Sequence, residues 1–165
     1  MTDTESSPPT FESEDIAIVL AAIDTSPLTG LVVEYGARLA RRTWQNAQLH
    51  LLHVFRSGPF DRPAAAGLHT EDLVAEAQDH LDFHVRIARR QCPAPVTGHL
   101  AVGDPVDEIV RRARSLNADL LLVGMQDTFG LQRFLLGSVA EKVAKRAPCS
   151  VLMIRRKQRL IKKIS

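Results

Sequence analysis

The sequence predicts a single α/β domain: a five-stranded parallel sheet with helices on both faces. Three observations predict it. Short apolar runs rich in β-branched residues alternate with segments of helical periodicity. Two of the helical segments open on a capping side chain followed by proline, Ser26-Pro27 and Asp104-Pro105. The length of 165 residues suits one domain that can bury its own core. Strands that alternate with helices pair in parallel through right-handed crossovers.

Residues 1–14 are polar and acidic, contain Ser6-Ser7-Pro8-Pro9, and read as a disordered arm. Ile16 to Ile23 is a continuous apolar run, the pattern of a strand covered on both faces, and Asp24 ends it. From Ser26-Pro27 a helix is expected, with Leu28, Val32, Tyr35, Leu39 and Thr43 on its inner face. Leu49 to Phe55 is the second strand. Residues 56–69 hold two prolines and two glycines and read as a long loop of the kind that often carries function. Thr70 caps a long helix with Leu73, Ala77, Leu81, Val85 and Ala88 inward, and Cys92-Pro93 ends it.

Val96 to Val102 alternates apolar and polar residues, which suits an edge strand. The helix from Asp104-Pro105 buries Val106, Ile109, Val110, Ala113 and Leu116. Asp119 to Gly124 is a buried strand. After a loop, Ser138 opens a helix to Arg146, with Val139, Val143 and Ala144 inward, and Ser150 to Ile154 is the last strand. The domain spans 15–155, with a basic tail at 156–165 and no second domain or internal repeat.

Composition narrows the function classes. Residues 1–14 hold four acids and no base, and residues 155–163 hold six bases and no acid. Without these ends the domain carries 15 of each sign, so basicity belongs to the tail and implies no nucleic-acid-binding face. Aromatics are 5% of the chain, too few for base-stacking platforms. The tail itself suits a solvated end, a contact with RNA, acidic lipid or a partner, or a contact with the acidic arm. No apolar h-region opens the chain and no apolar run has the roughly 20 residues of a membrane helix, so a cytoplasmic protein is expected. Cys92 and Cys149 make no CxxC motif and are expected to be reduced thiols.

In an open parallel sheet, a ligand sits beyond the carboxyl ends of the strands where strand order reverses. Asp24 and Gly124 close the first and fourth strands and are the natural candidates. The stretch from Gly124 to Ser138 follows a strand and opens a helix, with glycines at 124, 130 and 137. Glycines let backbone N–H groups approach phosphate, and a helix N-terminus favours negative charge. A strand-end glycine, a turn glycine and a serine-capped helix give the same pattern without any ligand.

Strand–Asp24, Leu52-His53-Val54, Gly103-Asp104-Pro105, Asp119 to Gly124, Leu136-Gly137-Ser138 and Ala147-Pro148-Cys149 occur in the order found in universal stress proteins. The resemblance covers about residues 15–155 and is most specific from Asp119 to Leu152. It implies the adenine nucleotide alpha hydrolase-like fold, with strand order 3-2-1-4-5, and a homodimer joined through the last strand, Ser150 to Ile154. The ATP-binding branch of the family carries Gly-x2-Gly-x9-Gly-(Ser/Thr). Gly124 and Gly137-Ser138 match it, and Asp127 stands where the second glycine belongs.

The resemblance implies Asp24 at the nucleoside end and the Val54 backbone against adenine. Gly124, Gly130, Gly137, Ser138 and Val139 would face phosphate. A carboxylate at 127 repels phosphate by about 1 kcal/mol per charge pair at 4 Å in water, and ~4 at an effective dielectric of 20. Mg²⁺ or Mn²⁺ between them would reverse the sign. Met125 and Gln126 stand where family loops often carry an arginine, and Arg133 is the nearest base in the loop. The expected ligand is therefore ATP or AMP, with metal only alongside nucleotide.

No nucleophile–base pair, Gly-x-Ser-x-Gly elbow or Walker A motif stands out, so at most very slow ATP hydrolysis is expected. His80 and His84 are four apart on a helix and suit one metal, but no third ligand is evident. His50 and His53 are three apart on a strand and face opposite sides. Cys149 reads as a small packing residue. A regulatory nucleotide-binding protein, an interaction module on the same fold without nucleotide, and a phosphoryl-transfer enzyme are the three functional classes, in that order.

Overall fold

The computed structural model describes residues 18–42, 47–56, 70–125 and 138–156. Five parallel strands, β1 (Ile18–Ile23), β2 (Gln48–Phe55), β3 (Val96–Val102), β4 (Leu120–Gly124) and β5 (Ser150–Ile154), form one sheet in the order β3-β2-β1-β4-β5. Four helices join them: α1 (Thr29–Arg42), α2 (Thr70–Gln91), α3 (Pro105–Ser115) and α4 (Ser138–Arg146). The expected strand order holds, and β3 is an edge strand as its alternation predicts. β1 pairs with β2 on one side and β4 on the other, so the chain reverses its direction of winding between β1 and β4.

The continuous apolar runs become strands buried on both faces. Val19, Ala21, Leu49, Leu51 and Leu122 meet Val32, Val33, Ala37 and Ala40 of α1 and Leu81, Val85 and Ala88 of α2. On the opposite face, Leu20, Leu52, Leu121 and Val123 meet Val106, Ile109 and Ala113 of α3 and Ala140 and Val143 of α4. The α2–β3 contact is close. A Cβ on Gly98 would stand 2.9 Å from Val85 Cγ2, so only glycine lets the helix lie this near.

Three expectations are corrected. Regular helix begins at Thr29, not at Ser26-Pro27. Ser26 to Leu28 form a turn in which Ser26 O accepts from Thr29 N–H and Ser26 Oγ from Leu28 N–H. Proline at 27 suits a turn as well as a helix start. Tyr35 is 43% exposed, because Val32, Val33, Gly36 and Ala37 form the inner stripe. In α4 the inward alanine is Ala140, and Ala144 is exposed. Asp104 is the helix cap expected of it, with its carboxylate accepting from Val106 N–H and Asp107 N–H. Ile16, Thr43, residues 57–69 of the loop, the acidic arm and most of the basic tail lie outside the described residues.

Candidate functional site

At the reversal of strand order between β1 and β4, the carboxyl ends of β1, β2 and β4 floor a cleft of about 190 Å³. Three helices border it near their N-terminal ends: α1 and the turn before it with Leu28, Thr29 and Val32, α3 with Pro105 and Ile109, and α4 with Val139 and Ala140. The floor is apolar, made of Ala22, Leu52, Val54 and Val123, with Asp24 and Thr29 as the polar side chains of the lining. Such a cleft suits a flat apolar ring with polar groups at its edge. Its volume is below the 300 Å³ or more of a typical small-molecule pocket, and it has room for a ring.

The polar rim is tightly made. Asp24 Oδ1 accepts from Ser26 N–H at 2.9 Å and from the Thr29 hydroxyl at 3.0 Å. The same hydroxyl makes a short contact with Asp24 O, and its oxygen accepts from Asp24 N–H at 3.2 Å. Thr29 is 2% exposed, so this network lies inside the fold, while the Asp24 side chain is exposed at the rim. Behind the rim, His53 Nδ1–H donates to Ile23 O at 3.1 Å, and His80 Nε2–H donates to Asp24 O at 3.0 Å. Burial is the main reason that the His53 and His84 imidazoles lose their protons more readily than usual.

Of the residues expected at the site, the fold brings Asp24, Val54, Gly124 and Val139 to one cleft. Ser138 opens α4 as expected. Asp127, Gly130 and Gly137 lie outside the described residues. A Cβ on Gly124 would meet Leu28 and Val32 at ordinary contact distance, 3.5 Å, so the strand end itself does not demand glycine. The sequence reading missed Thr29, Pro105, Ile109, His53 and His80. Thr29 is hidden because it looks like an ordinary helical residue, and its tie to Asp24 depends on the turn between them.

The other chemical candidates lie apart. His50 and His99 stack with ring centroids 5.2 Å apart and share a 2.9 Å hydrogen bond on the α3 side of β2 and β3. Among the described residues, no group of three or more His, Cys, Asp or Glu side chains is placed to hold a metal. Burial, with help from Asp119, pushes the Cys149 thiol above its usual range, the opposite of a reactive thiolate. Among the described residues no helix is long and apolar enough to cross a membrane.

The comparisons with known proteins agree with this geometry. A universal stress protein of Methanocaldococcus jannaschii is 34% identical over 114 residues, covering 67% of this chain and 66% of the relative. YxiE, a universal stress protein of Bacillus subtilis, is 27% identical over 148 residues, covering 83% of this chain and 97% of the relative. The solved structure of an Archaeoglobus fulgidus universal stress protein in complex with dAMP superposes with a TM-score of 0.63 at 27% identity, over 85% of this chain and 98% of that one. The family model described as "Universal stress protein family" matches residues 16–155. The chain belongs to the universal stress protein family.

Proposed function

We propose that this chain is a regulatory protein of the stress response that holds an adenine nucleotide in the cleft between β1 and β4. The observation that carries the reading is the convergence of Asp24, Val54, Gly124 and Val139 on one apolar cleft at the reversal of strand order. The relative solved with dAMP supports the same ligand class. The adenine ring would lie on Val54, Leu52 and Val123, and Asp24 would accept from ribose hydroxyls. Backbone N–H groups from Gly124 and Gly130, and from Gly137, Ser138 and Val139 at the start of α4, would meet phosphate. The phosphates would leave the small cleft past Gly124, the end of β4.

AMP, with fewer phosphate charges near Asp127, is the favoured ligand without metal, and ATP is favoured with Mg²⁺ or Mn²⁺. The reading assigns no catalytic residue. The protein would act in the cytoplasm as a homodimer joined along β5, an edge strand on which Leu152 is 37% exposed. Asp127 in the place of a family glycine favours a second reading: a dimeric interaction module that has lost nucleotide.

Titration calorimetry with AMP, ADP and ATP, with and without metal, separates the two. Binding of AMP, and of ATP with metal, is expected. No binding at millimolar nucleotide leaves the interaction module. Asp127→Gly is expected to tighten metal-free ATP binding about fivefold or more, the equivalent of about 1 kcal/mol of relieved repulsion. Unchanged affinity would remove the repulsion argument.

A further inference from the structure

Apart from Asp24 and Thr29, the side chains that line the cleft are apolar. Selection by a side chain for the polar edge of a nucleoside therefore passes through these two. Thr29 is 2% exposed, so its hydroxyl is spent inside the fold. Asp24 is exposed at the rim, so its carboxylate is the group that reaches a ligand. Thr29 Oγ1 meets three polar atoms of Asp24. It accepts from Asp24 N–H at 3.2 Å, and its hydroxyl hydrogen faces Asp24 O and Asp24 Oδ1, the latter at 3.0 Å. One side chain thus ties both the backbone and the carboxylate of the residue five positions before it.

The two oxygens of the Asp24 carboxylate are not equivalent. Each carboxylate oxygen accepts about two hydrogen bonds. Oδ1 already takes two, from Ser26 N–H at 2.9 Å and from the Thr29 hydroxyl. Oδ2 takes none from the described residues. The donors come from the turn and from the first residue of α1, so together they fix the direction of the carboxylate. Rotation about the Asp24 Cα–Cβ bond breaks both bonds. Asp24 O has a second tie, to His80 Nε2–H at 3.0 Å. The Asp24 carbonyl therefore stays anchored without the Thr29 hydroxyl, and the carboxylate is the part set loose. An ionised oxygen only accepts, so the free Oδ2 selects a donor. A ribose hydroxyl is such a donor, a bare ring CH₂ is not, and a phosphate oxygen is repelled.

We propose that Thr29 is a positioning residue that turns Oδ2 of Asp24 toward the sugar, and that this single free oxygen makes the cleft selective for nucleotides with a donating ribose hydroxyl. Thr29 acts on the ligand through Asp24. The proposal deepens the nucleotide reading above and rests on it for its ligand, and its test keeps the two apart.

Calorimetry at neutral pH compares AMP with 2′,3′-dideoxy-AMP in the full chain, in Thr29→Val and in Thr29→Ser. The unaltered chain is expected to prefer AMP by about 10- to 100-fold, the range for hydrogen bonds to a charged group. Thr29→Val keeps the shape of the side chain without the hydroxyl. It is expected to lower that preference by about fivefold or more through weaker AMP binding, with affinity for the dideoxy nucleotide unchanged within about twofold. Thr29→Ser restores the hydroxyl and is expected to keep the preference within about twofold. A general loosening of the cleft weakens both ligands alike and overturns the proposal, as does a preference that Thr29→Val leaves unchanged. A second measurement needs no ligand. Three-bond couplings across the Asp24 Cα–Cβ bond are expected to report one rotamer in the unaltered chain and in Thr29→Ser, and averaging in Thr29→Val. If no nucleotide binds but the couplings behave in this way, the positioning stands and the ligand reading falls. If Asp24 averages in the unaltered chain, or stays fixed in Thr29→Val, the positioning is overturned.

Discussion

Asp24 and Asp104 each follow a strand's carboxyl end, and each has a proline within three residues after it. Asp104 becomes the cap of α3, and its Oδ1 takes the amides of Val106 and Asp107. Asp24 stands five residues ahead of α1, held by Ser26 N–H and the Thr29 hydroxyl. The first carboxylate completes a helix. The second is displaced from its helix by the Ser26–Leu28 turn, and so it lines the cleft, where Asp104 does not. One extra turn between acid and helix separates a residue that serves stability from one placed to meet a ligand.

Three substitutions should break this comparison if it is wrong. Asp24→Ala is expected to weaken AMP binding by about 10- to 100-fold, the range for hydrogen bonds to a charged group. Calorimetry at neutral pH reads it, and a change below threefold would remove Asp24 from the site. Thr29→Val is expected to destabilise the fold by about 1–3 kcal/mol, because it leaves the partly buried Asp24 N–H without its acceptor. Asp104→Ala should do the reverse of Asp24→Ala. Loss of the cap costs about 1 kcal/mol by denaturant midpoint, with AMP affinity unchanged within twofold.

The comparison extends to histidines. His50 of β2 and His99 at the middle of β3 share one hydrogen bond, which needs one donor and one acceptor. Burial, then Arg112, then His50 hold the His99 imidazole down to about 4. Burial and Arg112 lower His50 as well. The pair is neutral in the native state, whereas an unfolded histidine takes up its proton near pH 6.5. Its contribution to stability is therefore complete above about pH 6.5 and is lost as pH falls toward about 4. Thermal melts at a series of pH values should show this loss, and His99→Gln should flatten it. An unaltered slope in His99→Gln would assign the acid sensitivity to other groups.

Much of the fold was legible because buried strands leave continuous apolar runs, and Ser150–Ile154 emerges with the bounds expected of it. Helix faces were less legible where the inward residues are small. Gly36 and Ala140 take the places that Tyr35 and Ala144 were expected to fill. At the site, Asp24, Val54, Gly124 and Val139 could be placed because strand ends and family motifs mark them. The ties that hold Asp24 could not. His80 reaches its carbonyl across 56 residues, and the rings of His80 and His53 come together only once α2 has packed beside β2. Helical spacing puts His80 and His84 within reach of one metal but offers no third ligand, so they read as a helix flank; their bonds to backbone oxygen leave no mark in the sequence.

The two borders of the cleft also differ in how they are fastened, and this gives the smallest expected effect. On the α1 side, Asp24 and Thr29 join through bonds that are partly shielded from water. On the α3–α4 side, Arg146 pairs with Asp107 at 2.7 Å, with side chains 52% and 62% exposed. An exposed pair of this kind contributes less than about 0.5 kcal/mol after screening and lost side-chain freedom. Arg146→Ala should therefore move the denaturation midpoint barely at all, and no more in 0.5 M salt, where exposed charges are screened further. If Arg146→Ala instead destabilised the chain as much as Thr29→Val, the α3–α4 border would rest on that pair. The contrast between a partly shielded and a solvent-facing fastening would then fail.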